Sequence, residues 1–364
     1  MRVFSQGRRA AALVLIALTC ASLSACGDDG DEEQGSSSDV TLTIAGWGGV
    51  TGNAVEETLL EPFEADGGAP ARMVDAPGTQ LARVEAQNKA GEIEWDAMDP
   101  AGDAAFTLYR RGRLAKLPAN LKRQFERELG AKRVTPFGFA HGNAAQVIVC
   151  NMDEVDVCPQ DIEEFYDVER FPQSRTFPAI GPIQAVTSAQ VAAGVPRAET
   201  AHSPVDVDSA FEQLDRIKPR IRVFWESGDQ SEQVMRSGAA DIALMWANRA
   251  SRLKASGMNL ELNWSGGVYD PSYWTVLEDA PHKQEAFDLL TWIATHPEAQ
   301  ANWARAAHAS VPHPEALAML PKGLAADLAD TPANFRQLAV PNFDWYAENT
   351  KELDARYQDF VRGG

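Results

Sequence analysis

The sequence predicts an α/β protein of two lobes that enclose a cleft. Short apolar runs typical of buried strands alternate with amphipathic runs of helical spacing, which is the pattern of α/β lobes with parallel-type sheets. The chain has 364 residues, enough for two hydrophobic cores at about 150 residues per domain. No Pro/Ser-rich linker divides it, so we expect the chain to cross between the lobes more than once at a hinge.

The first elements follow one another as strand, loop and helix. An apolar run over 40–44 predicts a strand, the glycines around Trp47 predict a tight loop, and apolar spacing over 54–63 predicts a helix. By the same criteria, the further predicted strands are 95–98, 145–149, 221–225, 242–246 and 274–277. The further predicted helices are 81–90, 104–112, 206–217, 231–237, 283–294 and 298–307, followed by a long C-terminal helical run.

The first 25 residues have the composition of an export signal. Arg2, Arg8 and Arg9 precede an apolar run over 10–21 that is too short to span a bilayer and ends at small residues. The run closes on Leu23-Ser24-Ala25-Cys26, which resembles the bacterial lipobox, in which the cysteine is acylated. The alternative is an ordinary secretory signal whose cysteine is accidental. No other stretch reaches ~18 uncharged apolar residues, so we expect contact with the membrane through a lipid anchor only.

The segment after the signal, 26–39, predicts a lipid-anchored acidic tether. It is rich in Gly, Ser, Asp and Glu and has no aromatic residue, so it cannot bury enough surface to offset its ordering entropy. A calcium loop is the less favoured interpretation, because its carboxylates lack the alternating spacing of calcium ligands.

Cysteine usage agrees with export. With Cys20 in the signal and Cys26 assigned to lipid, Cys150 and Cys158 remain, and in an oxidising compartment we expect them to form a disulfide. The alternative of two free thiols would require a reducing compartment, and the export signal makes such a location unfavoured.

The charge balance restricts the partners. Lys plus Arg number 33 against 52 Asp plus Glu, a net charge of −19, which disfavours nucleic acid and suits a cationic ligand.

Six segments in order resemble the extracellular solute-binding proteins of bacterial ABC transporters. They are TIAGWGGVTGNAVEETLLEPFE, EWDAMD, EEFYDVERFPQSRTFP, DRIKPRIRVFWESGDQSEQVMRSGAADIALMWANRAS, DPSYWTVLEDAPHKQEAFDLLTWIATHPEAQ and NFDWYAENTKEL. Within that family the WESGDQ, WANRA and DPSYW segments are most similar to the spermidine/putrescine-binding branch. The resemblance covers nearly the whole chain after the tether.

The resemblance implies a periplasmic-binding-protein fold of the type II clamshell, with a hinge between the lobes. On the family's crossover pattern, lobe 1 comprises 40–138 and 273–313, and lobe 2 comprises 139–272 and 314–364. It also implies a monomer without a cofactor that delivers its ligand to a membrane permease. We therefore expect a protein that is exported and either lipid-anchored to the outer face of the cytoplasmic membrane or periplasmic.

The same resemblance implies a binding site of aromatic and acidic side chains for a small amine. Cation–π contacts and a carboxylate would hold a desolvated ammonium group. The ligand-binding candidates are Trp47, Trp246, Asp270, Tyr273 and Trp274, with Asp99, Glu226 and Asp229 in second rank because they follow predicted strands. The remaining tryptophans at core periodicity, Trp95, Trp225, Trp292, Trp303 and Trp345, are predicted to pack in the interior.

One departure separates the chain from familiar polyamine binders. These add an acidic pair from the second lobe, whereas the corresponding run here, 176–194, has no carboxylate and offers only Gln184, Thr187 and Ser188. The ligand therefore carries one amine, or is an amino acid-like zwitterion, with sugar and metal as further alternatives.

An enzyme is the other class considered. None of the six histidines lies in an H-E-x-x-H motif, no G-x-S-x-G occurs, and the pair His308 and His313 is separated by prolines in a turn-like segment. The sequence thus predicts no catalytic residue and no metal site, and a secreted hydrolase or a structural lipoprotein is a minor alternative.

Replacing the acylated cysteine tests the anchor. Cys26→Ala should release the protein from membranes, because only buried acyl chains, at ~0.8 kcal/mol per CH₂, would hold it there. Fractionation of cells expressing each form measures this, and a variant that stays with the membrane would contradict lipidation at Cys26.

Overall fold

Residues 40–142 and 145–363 are described by a computed structural model of the chain. The predicted signal, the tether and the lipidation candidate Cys26 lie outside these residues. The strands are β1 (Leu42–Gly46), β2 (Ala71–Asp75), β3 (Ala97–Met98), β4 (Val134–Thr135), β5 (Gly138–His141), β6 (Ala145–Asn151), β7 (Arg175–Pro178), β8 (Ile221–Trp225), β9 (Ile242–Trp246), β10 (Leu260–Tyr269) and β11 (Ser272–Val276).

Helices connect and cover these strands. The α-helices are α1 (Gly49–Val55), α2 (Glu61–Ala65), α3 (Gln80–Ala90), α4 (Gly102–Arg110), α5 (Ala119–Leu129), α6 (Ile162–Tyr166), α7 (Pro182–Ala192), α8 (Val207–Ile217), α9 (Gly228–Arg236), α10 (Ala247–Ala255), α11 (Lys283–Thr295), α12 (Pro297–Ala307), α13 (Pro314–Ala318), α14 (Lys322–Ala326), α15 (Pro332–Phe335) and α16 (Phe343–Arg362). A π-helical turn, Glu56–Leu60, joins α1 to α2, and short 3₁₀ turns occupy Ala131–Arg133 and Lys218–Arg220.

The strands form two mixed sheets. The first has the order β2-β1-β3-β11-β5-β4 and the second the order β10-β6-β9-β7-β8. In the first sheet β1 is parallel to β2 and β3, whereas β11 is antiparallel to β3 and β5. In the second sheet β7 is parallel to β8 and β9, whereas β6 is antiparallel to β9 and β10.

The mixed pairing corrects the expectation of parallel-type sheets. Parallel neighbours need a long crossover, commonly a helix. Here the chain passes from β5 in the first sheet to β6 in the second, and returns from β10 to β11, through connections of a few residues. The two crossings run in opposite directions and pair with each other in both sheets, β11 with β5 and β10 with β6, so these pairs are antiparallel and the crossings lie side by side.

Three hydrophobic clusters fill the interior. One packs β1 and β11 against α5, α11 and α12, and another packs β6 and β7 against α7, α8 and α16. The third contains side chains from both sheets, among them Ala45, Phe137, Val147, Trp225 and Tyr273. The architecture is a two-lobed α/β clamshell, with the third cluster joining the lobes next to the crossings.

The exact lobe boundaries stay a proposal. β5 is hydrogen-bonded into the first sheet, although it lies in the segment assigned to lobe 2. Ala316, Leu320 and Leu328 belong to the cluster of the first sheet. Lobe 1 was predicted to comprise two segments, ending at 138 and 313. By hydrogen bonding and packing, both segments continue past these residues.

Each predicted strand and helix has a counterpart in the structure, whereas several further elements, among them α5, α7, β7 and β10, were not predicted. β8 and β9 have the predicted bounds. Helix α7 gave no helical signal because it is buried from Ile183 to Val191, so it has no polar face to set a period. Of the tryptophans predicted to be core, Trp95, Trp225 and Trp303 are buried, whereas Trp292 and Trp345 are half-buried.

The predicted disulfide joins the end of β6 to the loop before α6. Cys150 and Cys158 are bonded, and both are buried in the cluster of the second sheet. Among the described residues, no helix has the length and apolar content needed to cross a bilayer.

Removing the disulfide should destabilise the second lobe. Cys150→Ala with Cys158→Ala should lower the free energy of unfolding by ~2.5 kcal/mol, because the cross-link no longer restricts the unfolded chain. Urea unfolding measures this, and wild type reduced with dithiothreitol separates loss of the cross-link from loss of sulfur packing. Equal midpoints for oxidised and reduced wild type would contradict a stabilising cross-link.

Candidate functional site

Asp270 lies at the crossing from the second sheet to the first. It follows β10 and precedes Pro271 and β11, and it is 7% exposed. Three second-lobe side chains donate hydrogen bonds to its carboxylate. Trp246 Nε1 donates to Oδ2 at 2.6 Å, Gln184 Nε2 donates to Oδ1 at 2.7 Å, and Gln146 Nε2 approaches Oδ2 at 3.4 Å. The chain therefore holds a buried carboxylate with neutral N–H donors.

The sequence places each donor by a different route. Gln146 and Trp246 are register partners on β6 and β9, so both reach the same edge of the second sheet. Gln184 lies in the first turn of α7, behind Gly181, which has φ 67°. A Cβ at Gly181 would come within 2.7 Å of Gln184 Oε1, so glycine is needed both for the turn and for this side chain.

Burial and a second acid shape the electrostatics of Asp270. The pKa of Asp270 is raised to about 7, because burial and, to a smaller extent, the negative charge of Asp103 outweigh the lowering effect of the three N–H donors. Burial also raises the pKa of Asp103 at the start of α4, and Asp103 in turn contributes to the raised pKa of Asp354 on α16. Among the described residues, the charged group that shifts the pKa of Asp270 is thus an acid and not a base.

Trp47 reaches the same crossing from the first lobe. Its Nε1 lies 3.0 Å from the backbone oxygen of Asp99 and 2.9 Å from Ser272 Oγ, so the indole links the ends of β1, β3 and β11. The following Gly48 has φ 67°, and a Cβ there would overlap the carboxylate of Asp75. The glycine loop thereby brings Trp47 to Ser272, which follows Asp270 by two residues.

Tyr273 and Trp274 lie on opposite faces of β11. Tyr273 is 5% exposed and packs edge-on against Phe106 and Phe137, in the cluster shared by both sheets. Trp274 is 1% exposed in the cluster of the first sheet and stacks on His141 with ring centroids 4.7 Å apart. Strand alternation therefore separates the two, and Trp274 is not brought together with Asp270.

Among the described residues, none of the second-rank acids forms a side-chain hydrogen bond with a residue that donates to Asp270. Asp99 is buried beside His141, with 3.7 Å between Oδ2 and Nε2; burial raises the pKa of Asp99 and lowers that of His141 to about 3. Glu226 is exposed, and Asp229 is an exposed partner of Arg249 on α10.

The structure adds residues that the sequence did not single out. These are Asp103, which acts on Asp270 by its charge, Gln146, which donates to Asp270, and Asn248, which follows Trp246 by two residues. Gln184, named from the sequence as a neutral polar contact, also donates to Asp270. Asn248 lies in the first turn of α10, is 4% exposed, and neither of its amide atoms has a hydrogen-bond partner among the described residues. Gln146 gave a weak signal as a polar residue in an otherwise apolar strand, whereas nothing local distinguished Asp103.

Comparison with known proteins gives a consistent class. Residues 58–335 match the family described as bacterial extracellular solute-binding protein. The gamma-aminobutyric acid-binding protein of Pseudomonas aeruginosa is 27% identical over 322 residues, covering 87% of this chain and 90% of that protein. A solved structure described as the Atu4243–GABA receptor is 26% identical with a TM-score of 0.80, covering 89% of this chain and 98% of that one.

A polyamine-binding structure is a more distant match. The spermidine/putrescine substrate-binding protein PotD of Streptococcus pneumoniae is 15% identical with a TM-score of 0.68, covering 88% of this chain and 99% of that one. Identity at this level supports a common fold alone.

Asp270 should make the stability of the ligand-free protein depend on pH. Its pKa of about 7 in the fold exceeds the ordinary value of 3.8, so the fold favours the protonated form, and stability should fall as pH rises from about 4 to about 7. Asp270→Asn removes this contribution. In urea unfolding, the free energy of unfolding of the variant should therefore increase relative to that of wild type by up to ~1.4 kcal/mol per pH unit over that range.

Asp215→Asn is the matched control, because Asp215 is exposed on α8. A difference between wild type and Asp270→Asn that stays constant from pH 5 to pH 8 would contradict a buried, charge-sensitive Asp270.

Proposed function

The chain belongs to the bacterial extracellular solute-binding proteins, the substrate-binding components of ABC transporters, and on that premise we propose that it captures a small cationic amine beside Asp270. Members of this family bind solutes and catalyse no reaction, so the protein is not an enzyme. The secreted hydrolase considered from the sequence is thereby set aside. Export follows from the extracellular character of the family.

The buried carboxylate of Asp270 is the observation that supports an amine. Removing a charge from water costs several kcal/mol unless an opposite charge compensates for it. Around Asp270 the compensation comes from neutral N–H donors, and the nearby Asp103 increases the negative potential. A bound ammonium group would supply the missing positive charge and form charge-assisted hydrogen bonds.

Aromatic side chains complete the proposed site. Trp246 donates its indole N–H to Asp270, so its ring edge is fixed at the carboxylate, and Trp225 supports it with ring centroids 4.9 Å apart. Trp47 and Tyr273 approach from the first lobe. Tryptophan faces are the most favourable partners of ammonium groups, worth ~0.5–2 kcal/mol each depending on desolvation.

The proposed ligand is an amino acid-like zwitterion with a terminal amine, such as 4-aminobutyrate. Two relatives at 26% and 27% identity are named for gamma-aminobutyric acid. The run 176–194 that would carry a second acidic pair has no carboxylate, and its residues Ile183–Val191 are buried in α7. These observations favour one ammonium group over the two or more of a polyamine.

The transport cycle proposed for the protein follows from the clamshell. Asp270 belongs to a crossing between the lobes and is bound by second-lobe donors, so a ligand held there and by Trp47 would favour the closed form. The closed, liganded monomer would then deliver its ligand to the permease. We propose that Cys26 carries the lipid that keeps the protein at the membrane.

Two substitutions test the site by titration calorimetry with 4-aminobutyrate, putrescine, spermidine and a neutral sugar. Asp270→Asn should weaken amine binding by at least about 100-fold, because the ammonium loses its only proposed counter-charge. Trp246→Leu should weaken it by about 10-fold, since it removes one cation–π contact and one donor to Asp270.

Asp215→Asn, at an exposed position on α8, is again the control and should bind like wild type. Preference for the sugar or for an anion without an amine, or an Asp270→Asn variant that binds amines as tightly as wild type, would contradict the amine proposal.

A further inference from the structure

Asn248 is a buried polar side chain at the start of α10, directly after the strand that presents Trp246. It is 4% exposed, and neither Oδ1 nor Nδ2 has a hydrogen-bond partner among the described residues. An unpaired buried amide destabilises the fold, so such a group calls for a partner.

The helix face that carries Asn248 is turned toward the first lobe. Asn248 and Ser251 lie at positions i and i+3 and so share one face, whereas the neighbouring Arg252 pairs with Glu232 on α9. Ser251 Oγ lies 3.2 Å from His308 Nδ1, at the end of α12 in the first lobe. One turn further on, Lys254 Nζ lies 2.8 Å from Asp327 Oδ1. The beginning of α10 therefore borders the junction of the lobes, as Asp270 does.

The beginning of α10 presents N–H donors, whereas the position of Asp270 presents a carboxylate. Helices α7, α9 and α10 follow the parallel strands β7, β8 and β9, so all three begin at the same edge of the second sheet, with their positive dipole ends toward it. Arg249 and Arg252 lie in the first two turns of α10. Both guanidinium groups pair with the acids Asp229 and Glu232 of α9, which leaves Arg249 Nε and Arg252 Nη1 as N–H groups without a hydrogen-bond partner in the described part of the chain.

Gly228 at the start of α9 supports this arrangement. A Cβ at Gly228 would lie 2.3 Å from Arg249 Nε, so the absence of a side chain lets the guanidinium pack over the beginning of α9. There Arg249 pairs with Asp229 and Glu232 of α9 and, in the described part of the chain, keeps its Nε–H as a free donor where two helices begin.

We propose that Asn248 is the anion subsite of the ligand pocket, where its amide N–H donates to the carboxylate of an ω-amino acid whose ammonium group binds Asp270. This inference rests on the proposed function and adds the second end of the ligand. Trp246 connects the two subsites, because its indole N–H binds Asp270 and its backbone immediately precedes α10. Asn248 would accordingly determine selection for a zwitterion over a diamine of the same length.

A single change of charge tests the subsite. Asn248→Asp places a carboxylate where the ligand anion would bind, so calorimetry should show 4-aminobutyrate binding weakened at least tenfold and putrescine binding strengthened. The two ligands share a four-carbon chain and one ammonium group and differ in the group proposed to contact Asn248. Asn120→Asp, at an exposed position on α5, is the control and should leave the affinity ratio unchanged.

Asn248→Ala keeps the test valid if Asn248→Asp does not fold. It should weaken the binding of 4-aminobutyrate several-fold without weakening the binding of putrescine. Unchanged affinity ratios in folded Asn248 variants, with amine binding still dependent on Asp270, would overturn this inference and leave the proposed function standing. If wild type binds no amine, or binds one independently of Asp270, the proposed function fails as well.

Discussion

A carboxylate withdrawn from water at the junction of two lobes is the constraint on which the site depends. Asp270 occupies that position because β10 passes to β11 in a short connection, which leaves its side chain between two sheets. The second lobe holds it with N–H donors from a strand, a strand end and a helix start. These donors fix the direction of the carboxylate without cancelling its charge, so binding energy remains for a cation.

The two lobes contribute unequally to this arrangement. The second lobe supplies the donors to Asp270, and it also carries Asn248 at the start of α10. The first lobe supplies Trp47, bonded to the end of β3 and to Ser272, and the acid Asp103 at the start of α4. A ligand that satisfies groups from both lobes gains affinity only when they are together, which couples capture to closure.

Much of this organisation is readable from the sequence, and the limits have physical causes. The bounds of β8 and β9 followed from apolar runs, and the family resemblance drew attention to Trp246 and Asp270. Trp274 was grouped with its neighbour Tyr273, although strand alternation turns it into the core of the first lobe. The importance of Asp103 could not be read locally, since it acts on Asp270 through tertiary proximity alone. Helix α7 lacked a polar face, so the position of Gln184 was equally hidden.

Proton release on binding tests the central claim most directly. If an ammonium group pairs with the ionised form of Asp270, whose pKa is about 7 in the ligand-free protein, binding at pH 7 should release about half a proton, and binding at pH 9 none. Calorimetry of 4-aminobutyrate binding in two buffers of different ionisation enthalpy counts these protons. Binding enthalpies at pH 7 that are identical in the two buffers, for an amine bound by wild type, would contradict the role assigned to Asp270.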